Sequence, residues 1–203
     1  MPRSLPLSLV FALLFTATAW AQPSSHAGMG IKAGGQWSTL LTSDVTYTSI
    51  PGGLAGVYFP FLAAKRFELQ PELLLSYQGA NLQRSEQDPV KLRMLYIHLP
   101  LCAKLFLTNE LNLQGGLQAA KCISATMEDA TATDEFRPVD VGFIAGLGLD
   151  LRNGFDLTAR YYGGTTPVLV ETTGVNPRHR LLQLTAGYRV MRFGHRRHKL
   201  SKG

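Results

Sequence analysis

The stretch Phe67-Glu68-Leu69-Gln70-Pro71-Glu72-Leu73-Leu74-Leu75-Ser76-Tyr77-Gln78 decides the fold class. Phe67, Leu69, Leu73, Leu75 and Tyr77 fall on one face of an extended chain, and Glu68, Gln70, Glu72, Ser76 and Gln78 fall on the other. That period of two belongs to a strand, because successive side chains of a strand point to opposite faces. The next segment, Leu95 to Leu105, sets Leu95, Ile97, Leu99, Leu101, Ala103 and Leu105 against Tyr96, His98, Cys102 and Lys104. Leu111 to Ala119, Val141 to Leu151, Phe155 to Tyr161 and Leu182 to Val190 alternate in the same way. Two earlier segments, near Met29 to Trp37 and Leu54 to Leu62, alternate less cleanly and bring the expected strands to eight.

The connections alternate in length. Short turns are expected around Lys65, Asn109 and Asn153-Gly154, and long polar loops at Leu40 to Gly52, Ala80 to Lys91, Lys121 to Pro138 and Gly163 to Arg180. Short turns on one rim and long loops on the other are the build of a transmembrane barrel. At Asn153-Gly154 a two-residue loop would pair Arg152 with Phe155 and put the two apolar sets on opposite faces. A three-residue loop pairs Leu151 with Phe155, keeps the apolar faces together and places Gly154 in the left-handed position.

The N-terminus carries Arg3, an apolar run from Leu5 to Phe15, and Ala19-Trp20-Ala21 before Gln22, which has the layout of a cleaved secretory signal. No later stretch offers the roughly 20 consecutive apolar residues of a membrane-spanning helix. The expected organisation is 1–21 signal peptide, 22–193 outer-membrane β-barrel and 194–203 basic C-terminal tail. Lys and Arg number 20 against 14 acids. Arg192, Arg196, Arg197, Lys199 and Lys202 supply much of that excess from the last stretch of the chain, so the barrel itself is close to neutral. A basic face for nucleic acid is therefore not expected.

Alternation leaves open which face points inward. A soluble, lipocalin-like periplasmic barrel has its apolar face inside, and a lipid-embedded barrel has it outside. Aromatics toward strand ends (Trp37, Phe67, Tyr77, Phe106, Phe155, Tyr161, Tyr188) match interfacial girdles. Opposite charges on the polar face (Glu68, Glu72, Lys104, Asp150, Asp156, Arg160, Arg189) match a packed polar interior. Both features favour the lipid-embedded form. The expected fold is all-β, an eight-stranded antiparallel up-and-down transmembrane β-barrel in the outer membrane of a Gram-negative bacterium. Leu73, Leu75, Ile97, Leu99, Leu113, Leu147, Leu157 and Leu184 are expected to face lipid.

Gly30-Ile31-Lys32-Ala33-Gly34, Leu69 to Gly79 and Tyr96-Ile97-His98-Leu99-Pro100-Leu101 resemble the PorT-like outer-membrane β-barrel proteins of Bacteroidetes. Gly146-Leu147-Gly148, Leu157 to Gly163 and Leu184-Thr185-Ala186-Gly187-Tyr188-Arg189 continue the likeness over nearly the whole mature chain. These are strand-and-turn patterns, so the resemblance implies an outer-membrane barrel and carries over no residue for an activity. The chain departs from the usual aromatic final residue by running past Phe193 into its tail.

An eight-stranded barrel has an interior just wide enough to be filled by side chains, so an open porin is not expected. Asp150 and Asp156 become inward neighbours across the three-residue turn. A loop centred near Thr172 sets Asp156 opposite Arg189, giving a structural cluster of Asp150, Asp156 and Arg189, with Arg160 a separate charge higher in the barrel. Ser76, His98 and Glu72 share the inward face of neighbouring strands, the residue types of a hydrolase or acyltransferase acting on lipid, but no nucleophile-elbow motif accompanies them. Non-enzymatic function is the expectation. Glu128, Asp129, Asp134 and Glu135 lack the spacing of a calcium loop, and with no Gly-rich phosphate loop or Cys/His metal spacing, neither cofactor nor metal is expected. Pairing about a turn near Thr108 sets Cys102 opposite Gln114 and Cys122 opposite Met94, too far apart to bridge. The expected partners of this monomer are outer-membrane lipid and lipopolysaccharide, with an envelope protein touching the long loops.

Overall fold

The computed structural model describes residues 27–41, 47–63, 66–84, 87–127, 130–131, 137–167 and 178–192. The signal segment, the tail beyond Arg192 and the acids Glu128, Asp129, Asp134 and Glu135 lie outside the described residues.

Eight long strands form the wall: β1 (Gly28–Leu41), β2 (Tyr47–Tyr58), β3 (Phe67–Arg84), β4 (Gln87–Phe106), β5 (Leu111–Met127), β6 (Val139–Asp150), β7 (Phe155–Gly164) and β8 (Arg178–Arg192). Each is antiparallel to its neighbours in sequence. The β1–β8 ladder from Gly28↔Arg192 to Leu41↔Arg178 closes the sheet, so the barrel wall has no free edge along its length. Two short pieces, Leu62–Ala63 and Ala130–Thr131, add to β3 and β5.

The apolar set faces out. Leu157 is 51% exposed, Leu147 51% and Leu184 47%, and Leu73, Leu75, Leu99 and Leu113 are also exposed; Ile97, half-exposed, shares their side. The inner face is polar and closed to solvent: Lys32, Gln36, Gln70, Gln78, Lys104 and Gln118 are buried beside Tyr58, Tyr96 and Tyr162. A water-soluble barrel with its apolar face inside is thereby corrected, because this molecule turns its leucines outward.

The β6–β7 turn is the three-residue form. Leu151 N–H donates to Phe155 O at 2.7 Å, Gly154 N–H donates to Leu151 O at 3.0 Å, and Asp150 stands opposite Asp156. Gly154 has φ +97°, a conformation that costs glycine little and other residues much.

Several boundaries and registers differ from expectation. β2 ends at Tyr58 rather than Leu62, since Pro60 has no N–H for the ladder, and Leu62 pairs separately with Leu69. Much of the expected loop from Ala80 to Lys91 is paired strand, as far as Arg84↔Gln87, and β5 runs past Lys121 to Met127. From Ala80 to Lys91 hydrophobic alternation fades in the sequence although the backbone still pairs. Around Asn109 the register is two residues from the expected one: Cys102 opposes Gly116 and Cys122 opposes Tyr96. Thr108 opens the loop rather than centring it, its Oγ1 accepting from Glu110 N at 3.2 Å and Leu111 N at 2.9 Å. A shift of two preserves every facing, and both cysteines are free.

Candidate functional site

The lumen holds three tiers of polar side chains, and alternation along the strands brings each inward. In the middle tier, Arg160 of β7 donates from Nη1 to Glu72 Oε2 at 2.9 Å and from Nη2 to Glu72 Oε1 at 3.0 Å. Lys32 of β1 donates to Glu72 Oε1 at 2.9 Å, and Gln70 Nε2 donates to the same oxygen at 2.7 Å. Arg160 Nη2 also reaches Gln114 Oε1 at 2.9 Å. Two cations, one carboxylate and two glutamines are thus interlocked out of water, as buried charges require.

The short-turn tier contains Glu68, Lys104, Asp150, Asp156 and Arg189. Lys104 Nζ stands 3.0 Å from Asp150 Oδ2 and 3.5 Å from Glu68 Oε1. Arg189 Nη2 stands 3.5 Å from Asp150 Oδ2 and 4.0 Å from Glu68 Oε2. Asn112 Nδ2 donates to Asp150 Oδ1 at 2.9 Å. Asp156 does not face Arg189: the β7–β8 register sets Asp156 opposite Gly187, two residues from the expected partner, and Tyr58 O–H donates to Asp156 Oδ2 at 2.6 Å. The long β7–β8 connection has no turn motif that fixes its centre, and registers two residues apart preserve the same facing. Gly187 is needed there because a Cβ would strike the Asp156 carboxylate. Tyr58 also links the tiers, since Lys32 Nζ lies 5.1 Å from its ring centroid.

Toward the long loops the lumen changes character. Tyr96 O–H lies 3.2 Å from His179 Nε2, Gln118 Nε2 lies 3.1 Å from His98 Nδ1, and Tyr162 O–H donates to Asp140 Oδ2 at 2.8 Å. The Tyr96 ring meets both imidazoles edge-on, at 5.9 Å from His98 and 5.4 Å from His179. This tier is aromatic and hydrogen-bonded rather than ion-paired.

The residue types suited to lipid hydrolysis are engaged elsewhere. Ser76 opposes Tyr96, while its Oγ accepts from Gln36 Nε2 at 2.6 Å and donates to Gln78 Oε1 at 3.2 Å. His98 is bonded to Gln118, and Glu72 is held by Lys32 and Arg160. All three are buried, so Ser76 presents no hydroxyl to a lipid. Lys32 and Tyr58 were missed as members of the charge network because the first two strands alternate weakly. The position of Lys32 between outward Ile31 and Ala33 carried the signal.

A closed antiparallel wall with an apolar exterior and a charged, filled lumen has its counterpart among known proteins. The model of the outer membrane protein beta-barrel domain family matches residues 20–170. The chain belongs to that family. This outer-membrane barrel is similar to the crystal structure of Neisserial surface protein A, at TM-score 0.54 and 12% identity over 80% of this chain and 97% of the other. It is similar also to Ail, the attachment invasion locus protein of Yersinia pestis, at TM-score 0.50 and 15% identity over 80% and 99%. Another crystal structure of Ail, in complex with the heparin analogue sucrose octasulfate, gives TM-score 0.52 at 15% identity over 80% and 99%. At these identities the likeness is one of fold. No functionally curated protein matches the chain.

Proposed function

We propose that this outer-membrane barrel is a non-enzymatic surface protein that works through its long-loop end, holding a partner or ligand outside the membrane. The observation that carries the reading is the height of the β3–β4 hairpin. β3 has 18 residues and β4 has 20, about twice the 9–11 that a tilted strand needs to cross hydrocarbon, and their ladder continues to Arg84↔Gln87. The filled lumen below argues against conduction, and the burial of Ser76, His98 and Glu72 argues against lipid chemistry. Lipopolysaccharide and an envelope protein are the partners we assign to this end, in keeping with the polyanion bound by Ail in its complex.

Within the broad family we place the chain with the PorT-like barrels of Bacteroidetes, on the strength of Leu69 to Gly79 and Tyr96 to Leu101. We assign residues 1–21 to a cleaved signal peptide, 22–193 to the barrel and 194–203 to a basic tail. The test is to place a single cysteine at position 85 in a C102A/C122A background and label intact cells with a membrane-impermeant maleimide, alongside conductance of planar bilayers. Labelling at the surface with no discrete conductance steps is expected. Protected thiols on intact cells, or stepwise conductance, would contradict the reading.

A further inference from the structure

The charges on the outer surface are distributed unevenly. At the long-loop end, Arg93, Lys121, Arg137 and Arg178 are exposed, with Arg180 half-exposed. Among the described side chains no acid faces outward at that end: Asp140 is turned into the lumen, and Glu110 lies in a short turn at the opposite rim. Three of the cations follow one another around the wall, Arg93 on β4, Lys121 on β5 and Arg137 just before β6. Lys121 stands in the outward row between Ile97 and Val139, directly above the alternating apolar positions Leu113, Leu117 and Ala119 of its own strand. It lies about ten residues along β5 from Leu111, the reach of a tilted strand across hydrocarbon. Arg93 opposes Thr126, four positions beyond Ile97, so the two cations are separated by roughly 13 Å of strand rise.

A lysine or arginine at the edge of an apolar belt lays its methylene stem along that belt and lifts its charge to headgroup level. On the long-loop side of an outer membrane the headgroups are phosphorylated glycolipid. We propose that the β4–β5–β6 flank is a binding site for that lipid, in which Lys121 and Arg93 engage phosphates of one headgroup and Ile97, Leu99, Ala119 and Val139 receive an acyl chain. Ammonium and guanidinium bonds to phosphate are charge-assisted and stronger than neutral ones. Among the described side chains, the remaining cations of that rim, Arg178 and Arg180, belong to β8, separated from β6 by β7, and the outward positions Ser49 and Pro51 of β2 carry no charge. The assignment rests on the reading above only for which rim is external, and it needs no loop partner.

Native mass spectrometry of the full-length mature barrel in detergent, titrated with bisphosphorylated lipid A, dephosphorylated lipid A and phosphatidylglycerol, tests it. The wild type should retain bisphosphorylated lipid A at least tenfold more tightly than either other lipid. R93Q/K121Q should lose that preference, while R66Q/R152Q, altered at the opposite rim, should keep it. Both variants change exposed side chains, and heat-shifted electrophoretic mobility confirms that each is folded. Equal retention of all three lipids by the wild type, or an undiminished preference in folded R93Q/K121Q, would overturn the site. Maleimide labelling at position 85 stays independent of both results, so the surface reading and the lipid site fail separately.

Discussion

Arg160 and Glu72 face each other across the lumen in a two-bonded ion pair, Nη1 to Oε2 at 2.9 Å and Nη2 to Oε1 at 3.0 Å, with Lys32 on the same carboxylate. Removing the acid and removing the arginine are therefore unequal changes. Glu72→Gln leaves two buried cations without their counter-ion, whereas Arg160→Met leaves the Lys32–Glu72 pair intact. Unfolding of the refolded barrel in urea should show Glu72→Gln losing about 3–5 kcal/mol and Arg160→Met less, as expected where a buried charge loses its partner. The reverse order would contradict this arrangement.

Arg189 supports the acids of the short-turn tier from 3.5 Å at Asp150 and 4.0 Å at Glu68. Replacing it with Met leaves Glu68 and Asp150 with Lys104 as their one cationic partner. Arg189→Met should lower the thermal midpoint of the refolded barrel more than Arg152→Met, which alters an exposed guanidinium at the same rim, and equal effects would show that the cluster does not depend on this charge.

Tyr58→Phe tests the bond that replaces the expected Asp156–Arg189 contact. It removes the donor at 2.6 Å from Asp156 and leaves a buried carboxylate oxygen without it, which costs about 1–3 kcal/mol. Denaturant titration reads this directly, and an unchanged midpoint would show that Asp156 takes its support elsewhere.

Ser76→Ala and His98→Ala should leave the lipid A and phospholipid profiles of cells unchanged, because both side chains are buried in hydrogen bonds to glutamine. Thin-layer chromatography of labelled lipids checks this. A lipid species that disappears in both variants would restore the enzymatic reading.

The pleat explains what was legible in the sequence. Facing depends only on parity, so the inward Glu68, Glu72, Lys104, Asp150, Asp156 and Arg160 could be read from alternation, as could the outward leucines. Register depends on where each turn closes. It was readable at Asn153-Gly154, where one loop length keeps the apolar faces together, and missed by two residues at Thr108, where a hydroxyl caps the loop. The same slip on β8 moved Gly187 opposite Asp156 and gave that acid to Tyr58. From Ala80 to Lys91 the sequence no longer alternates apolar with polar types although the ladder continues to Arg84↔Gln87, so the raised hairpin read as loop. The middle-tier role of Lys32 was hidden for a related reason, in a glycine-rich strand with few large side chains to mark its faces.

The outward-apolar, inward-charged wall is tested most directly by spin labels placed one at a time from Phe155 to Tyr161 in a C102A/C122A background in lipid vesicles. Collision with oxygen, which concentrates in hydrocarbon, should be high at Phe155, Leu157, Ala159 and Tyr161 and low at Asp156, Thr158 and Arg160. High accessibility at the even positions, or a flat profile along the strand, would contradict a lipid-facing leucine surface around a filled polar lumen.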